Sequence, residues 1–282
     1  MRTEKEMFET ILKPADADSI RAVLLVGSRA NPEVPKDIYQ DYDVTYIVSD
    51  MGPYYDNPEF IEKYFGKPAI MQVPEAMSLP SLPPDNDGHF TYLMLFSDYI
   101  RIDASFYHEQ NFKINEPAVV LLDKDKKFND LKADAAMWHI TPPNLNYYQD
   151  CCNEFWWCLN NVAKGIARDE IPYAMSMFND SVREMLDQMC KWYIGLQHKF
   201  NVSAGKQCKY LKKFLPASLY SLYMETYSKA DPESFWHAVF CACELFRTTA
   251  LFVGERFGFK YNQHEDKAIT AYLKHIKETT QI

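Results

Sequence analysis

Two apolar runs, "RAVLLV" and "DVTYIV", flank a loop that opens with Gly27-Ser28 and leads into Asp41-Tyr42-Asp43. This stretch constrains the fold more than any other, because side chains on a strand alternate sides. It reads as a buried pair of strands in hairpin fashion. With Tyr42, Val44, Tyr46 and Val48 on one face, Asp41, Asp43 and Thr45 share the other. At ~3.3 Å per residue the β-carbons of the two acids fall about 6–7 Å apart. Like charges held this way repel unless a cation joins them. Hard divalent ions, Mg²⁺ above all, take carboxylate oxygens together with substrate phosphates and suit in-line displacement at phosphorus.

A third acid stands in "IRIDASF", where Ile100, Ile102, Ala104 and Phe106 alternate with Arg101, Asp103 and Ser105. A solitary acid in mid-strand is unfavourable on packing grounds. If this strand neighbours the Asp41/Asp43 strand, the three carboxylates converge. Asp103 is then a metal ligand, the general base for an attacking hydroxyl, or both. At the loop, Gly27 lets the backbone approach a phosphate closely, Ser28 adds a hydroxyl donor, and Arg29 is the next cation along.

Composition sets the class around this site. At 282 residues and 47% hydrophobic content, the chain can build one large core or two ordinary ones. No apolar run was expected to reach the ~20 residues of a membrane span, and "MRTEKEMFETILK" does not read as a secretory leader, which together predict a cytoplasmic location and no membrane partner. The seven cysteines are odd in number and lack zinc-site spacing, so they read as buried free thiols with no metal on sulfur. Residues 1–146 carry 14 Lys+Arg against 24 Asp+Glu, a balance of −10, while residues 147–282 carry 16 against 15. An acidic first half repels nucleic acid and attracts a cationic ligand or a metal-chelated nucleotide.

The first half alternates β-like runs with turns: "RAVLLVGS", "DVTYIVSD", "PAIMQVPE", "TYLMLFSDYIRIDASFY" and "AVVLLDKD", with a helix before them and another around "PEFIEKYFG". The "SDY" at 97–99 is expected to turn the chain between two strands, and "SLPSLPPDNDGH" to connect into them. Beyond Pro142-Pro143 the period becomes helical, with helices predicted at about 146–168, 171–199, 205–214, 217–229, 233–256 and 264–278. The expected class is therefore α+β. A mixed sheet flanked by helices occupies 1–143 and carries nucleotide, metal and catalysis, and an all-α bundle occupies 144–282 and forms a substrate-binding wall.

In "QDCCNEFWWCLNNVAKGIARDE" a helical projection puts Cys151, Phe155, Cys158, Leu159, Val162 and Ile166 on an apolar face. Asp150, Glu154, Trp157, Asn161, Lys164 and Arg168 fall on another. Read as a cleft wall, Lys164 meets a triphosphate, Asp150 and Glu154 meet a cationic acceptor, and Trp157 offers a stacking surface. Lys206, which follows Gly205 in "GKQCKYLKKF", is a second cation within reach of phosphate.

A strand ending in Gly-Ser, then Asp-x-Asp on the next strand and a distant third Asp, resembles the nucleotidyltransferase signature of the polymerase-β-like superfamily. Within it, "GSRAN", "QDYDVTYIV", "GKPAIMQVPE", "IRIDASF", "LLDKD", "CCNEFWW…VAKGIARDE" and "GKQCKYLKKFL" are similar, in order, to the aminoglycoside 6-adenylyltransferases, also called streptomycin adenylyltransferases. The resemblance implies transfer of AMP from ATP to the 6-hydroxyl of streptomycin, with Mg²⁺ and release of pyrophosphate. It implies phosphate contact at Ser28, metal at Asp41 and Asp43, and the third acid at Asp103. The partners implied are ATP and a cationic aminoglycoside, with a monomer or weak dimer as the assembly. The loop from Ser28 to Asp41 is longer than the superfamily pattern and rich in Pro and charge. A nucleotidyltransferase acting on a protein or RNA acceptor, and a non-catalytic nucleotide-binding domain, are the competing readings.

Overall fold

The computed structural model describes residues 2–79 and 88–280, so most of the connection expected around 78–89 lies outside the described residues. The chain divides into two compact units, Met1–Met137 and Trp138–Ile282, so Pro142-Pro143 sits just inside the second.

The first unit begins with helix α1 (Glu4–Leu12), fixed at its start by a reciprocal capping box between Thr3 and Glu6. Strand β1 (Ile20–Leu25) runs into a single helical turn, α2 (Gly27–Ala30), and the chain returns as β2 (Tyr42–Val48). Helix α3 (Pro58–Phe65), the short β3 (Ile70–Gln72), β4 (His89–Leu95), β5 (Arg101–His108) and β6 (Val119–Asp123) follow. The expected turn at 97–99 joins β4 to β5, with Tyr99 at φ +66° and the Asp98 carboxylate accepting from the Ile100 amide.

Among the described residues, six strands form one mixed sheet in the order β3-β4-β5-β2-β1-β6. β1 and β2 pair antiparallel, as the opening motif predicts, although a helical turn and a long loop replace a tight hairpin. β2 and β5 pair in parallel, with Asp43 opposite Asp103 and Tyr46 opposite Phe106. That pairing brings together strands some 60 residues apart in the chain.

The sheet's two faces differ because of alternation. On one, Val44, Tyr46 and Val48 of β2 and Ile102, Ala104 and Phe106 of β5 are buried with Met7 and Ile11 of α1 and Phe60, Ile61 and Phe65 of α3. The Phe106 ring is stacked between Tyr46, at 4.7 Å between centroids, and Tyr54, at 4.8 Å. The opposite face holds a small apolar cluster around Ala22, Leu24, Ile47 and Ala118, and carries Asp43 and Asp103 near its edge.

The second unit is helical: α4 (Leu145–Ala167), α5 (Ile171–Met177), α6 (Arg183–Gln197), α7 (Leu211–Phe214), α8 (Ala217–Glu225), α9 (Pro232–Phe257) and α10 (Gln263–Thr279). The predicted apolar face of α4 is buried as expected, and Phe155 stacks on Phe246 of α9 at 3.8 Å. The helix expected over 171–199 carries a wide π turn at Phe178–Val182 between α5 and α6. The one expected over 205–214 is broken, since Gln207 and Cys208 both adopt positive φ, leaving Lys206–Cys208 and α7 as separate turns. The one expected over 217–229 stops at Glu225. There the buried Arg183 guanidinium donates to both the hydroxyl and the carbonyl of Thr226.

One helix bears on the expectation that no apolar run spans a membrane. By length and composition α9 is long and apolar enough. Its Phe235, Trp236, Leu245 and Phe246 instead fill the core of the second unit.

Candidate active site

The carboxylates of the first unit are assembled by β2, β5 and the turn after β1. Asp41 precedes β2, Asp43 is its second residue, and Asp103 lies beside Asp43 on the parallel neighbour, one interstrand spacing of about 4.8 Å away. The Val26 amide donates to the Asp43 carbonyl at 2.9 Å, which brings the Gly27 turn against the acids. Gly27 has φ +68°, and a β-carbon there would lie 2.1 Å from Asp43 Oδ2. Only glycine allows so close an approach of backbone and carboxylate.

Charge then accumulates. Burial pushes the Asp43 carboxyl up, and the neighbouring charges of Asp103, Asp41 and Glu116 push it further, to about 6, against a smaller opposing pull from Arg101. Burial also raises Asp41, with Arg101 opposing and Asp103 adding. All the donors are hard carboxylate oxygens around one turn of backbone, so the set fits a magnesium ion and not a soft metal.

Two members of this cluster were missed in the sequence. Arg101 donates through Nε and Nη2 to the two oxygens of Asp103, at 2.8 and 2.7 Å, and lies 3.6 Å from Asp41. Its position two residues before Asp103, on the same strand face, was the available signal. Glu116 accepts from the Gly27 amide at 3.2 Å, and no spacing rule pointed to it. Glu116 also lines, with Val26, Thr45, His89, Tyr107 and Lys113, a cavity of about 230 Å³.

Arg29, expected to meet phosphate, has its guanidinium engaged within the protein. Its guanidinium stacks 3.9 Å over the Tyr42 ring and donates to the carbonyls of Gln40 and Asp41. It braces the long loop into β2, and its side chain is 11% exposed. Ser28 is half-buried on the turn next to Gly27.

The remaining expected residues belong to the second unit. Asp150, Glu154 and Trp157 are exposed on one side of α4, Trp157 at 63%, and Lys164 is half-buried further along the same helix. Glu154 accepts a hydrogen bond from the Cys158 thiol at 3.1 Å. Lys206 is exposed on the short turn after Gly205, apart from α4 in the chain.

Against known proteins, residues 1–276 match the family described as streptomycin adenylyltransferase. The chain belongs to that family. An aminoglycoside 6-adenylyltransferase of Bacillus subtilis is 37% identical over 98% of both chains. One of Campylobacter jejuni is 33% identical over 99% of this chain and 97% of its own length. A crystal structure of an aminoglycoside 6-adenyltransferase from Bacillus subtilis aligns over 98% of this chain and 99% of that one, at 31% identity and a TM-score of 0.48. The streptomycin adenylyltransferase family is one of nucleotidyltransferases, so this member is an enzyme.

Proposed function

We propose that the protein transfers AMP from ATP to the 6-hydroxyl of an aminoglycoside, with streptomycin as acceptor, releasing pyrophosphate, and that it acts in the cytoplasm. The observation that carries this reading is the convergence of Asp41, Asp43 and Asp103 beside Gly27 in a chain of this family. Asp41 and Asp43 would hold Mg²⁺, with Asp103 next to them. When bound, that ion supplies the positive charge that offsets the developing charge on phosphate.

The protein's own groups do the rest. Gly27 lets the backbone close on the phosphates and Ser28 donates its hydroxyl to them. Asp103 takes the proton from the attacking hydroxyl. The second unit offers Lys164 and Lys206 as cations for phosphate. Asp150 and Glu154 attract the cationic groups of the acceptor and Trp157 gives it an apolar surface, in keeping with a chain of net charge −9. Arg29 is left out of the nucleotide contacts, because its guanidinium is engaged by Gln40, Asp41 and Tyr42.

The test is incubation of the purified protein with ATP, Mg²⁺ and a panel of aminoglycosides, read by mass. Streptomycin gaining the mass of one adenylyl group (AMP less water), with pyrophosphate formed in equal amount, is the expected result. An adduct on another acceptor and none on streptomycin overturns the substrate assignment.

A further inference from the structure

In the second unit, Glu225 is the last residue of α8, and His237 and Cys241 lie one turn apart on α9. Their ligand atoms converge: Glu225 Oε2 is 3.3 Å from His237 Nε2, His237 Nε2 is 3.5 Å from Cys241 Sγ, and Cys241 Sγ is 3.6 Å from Glu225 Oε2. These three atoms close a triangle. With bonds of about 2.0–2.1 Å to nitrogen, 2.0–2.2 Å to oxygen and 2.3 Å to sulfur, the edges of a tetrahedral zinc site are about 3.3–3.6 Å long.

The geometry separates a metal site from a catalytic relay. A cysteine–histidine–acid relay uses the two ring nitrogens, one toward the thiol and the other toward the carboxylate. Here both the thiol and the carboxylate address Nε2, so the three groups point at a common centre and not along a line. The cysteine is buried at 7%, while the His237 and Glu225 side chains are 65% and 51% exposed, which leaves the centre open to solvent on one side.

We propose that Glu225, His237 and Cys241 bind one Zn²⁺ ion, with water in the fourth position. The site lies wholly in the second unit and does not depend on the transferase reading. Binding takes a lone pair from neutral His237 Nε2 and from the Glu225 carboxylate, and displaces the Cys241 thiol proton to solvent, so one proton leaves with each ion bound. The thiolate, imidazole and carboxylate together match the borderline-soft character of zinc and discriminate against Mg²⁺. The ion joins the C-terminal end of α8 to the first half of α9.

The test titrates the metal-free full-length protein with Co²⁺ as a spectroscopic stand-in, with millimolar Mg²⁺ present to occupy carboxylate-only sites. A sulfur-to-cobalt charge-transfer band growing to one equivalent, together with the intense visible bands of a four-coordinate ion, is expected, and stoichiometric Zn²⁺ should erase both. Cys241→Ser should abolish the charge-transfer band. His237→Gln and Glu225→Gln, at exposed positions that leave the core intact, should each weaken apparent affinity by tenfold or more. Absence of the band in the wild type, its survival in Cys241→Ser, or its indifference to both His237→Gln and Glu225→Gln each overturns the three-ligand site. Circular dichroism of every variant separates lost binding from lost folding.

Discussion

Arg101 grips both carboxylate oxygens of Asp103, two residues along the same strand face, and reaches within 3.6 Å of Asp41. It is the cation that this acid cluster supplies to itself. Arg101→Gln is therefore expected to tighten Mg²⁺ binding to the protein, because a competing positive charge leaves. For partly exposed charges a few ångströms apart the gain is on the order of 1 kcal/mol, or about fivefold. Calorimetric titration of the nucleotide-free variant measures it, and weaker Mg²⁺ binding would show that Arg101 positions the acids and does not compete for them.

Asp43 predicts a pH effect of definite sign. Its carboxyl is held near 6 in the fold, chiefly by burial, against an ordinary value of 3.8. Between roughly pH 4 and 6 the folded state keeps this proton when the unfolded chain has lost it, so stability falls as pH climbs through that window and the deficit persists above it. Asp43→Asn removes the deficit. In chelator-treated protein it should be more stable than wild type by about 1–3 kcal/mol at pH 7 and indistinguishable from it near pH 4, by urea unfolding. The same variant, like Asp41→Asn, should transfer no AMP.

For Asp103, the expected signature is a split between binding and turnover. Asp103→Asn should lower the transfer rate by 100-fold or more, in the range of a lost general base, while ATP affinity changes little. A collapse of ATP affinity instead would make metal ligation its principal role.

Gly27→Ala should damage both stability and the site. Its positive φ alone costs about 1–2 kcal/mol for a residue with a β-carbon, and that carbon would lie 2.1 Å from Asp43 Oδ2. Gly66 provides the control, since it also has positive φ, +86°, with nothing within 4 Å of an added β-carbon. Gly66→Ala should show the backbone cost and normal transfer. Gly27→Ala should show that cost and at least a tenfold loss of activity.

In the second unit, Asp266 is buried and receives both arms of Arg247 at 2.6 Å, with Tyr261 and Thr270 donating as well. Burial pushes the Asp266 carboxyl up, but these donors outweigh it and hold the group below its ordinary value. That contribution is present above about pH 4 and is lost as pH falls through the depressed value. Arg247→Leu leaves the carboxylate without its counter-charge and should cost about 2–4 kcal/mol, allowing for a guanidinium one-third exposed. Thermal unfolding at pH 7 measures it.

Alternation made the site acids legible in the sequence. Tyr42, Val44 and Tyr46 against Asp43, and Ile102 and Ala104 against Asp103, give the faces before any pairing is known. What alternation cannot give is which strands are neighbours, so the parallel match of Asp43 with Asp103 stood as a condition until the sheet order was seen. Glu116 was illegible for the same reason, as it lies in a loop and reaches Gly27 only through the fold. The partners of Arg29 were not legible, because charge alone does not reveal that an adjacent aromatic ring, Tyr42, and two carbonyls engage the guanidinium. The break at Gln207 defeated a helical period that ran smoothly through it.

The register of β5 against β2 has a practical consequence for measuring the protein. A slip of one residue would turn Asp103 onto the buried face of the sheet and expel Phe106 from between Tyr46 and Tyr54. Correct placement of the acids and correct filling of the core are therefore a single event. The molecules able to catalyse transfer are those whose sheet has zipped in native alignment, so specific activity after refolding reads the refolding yield.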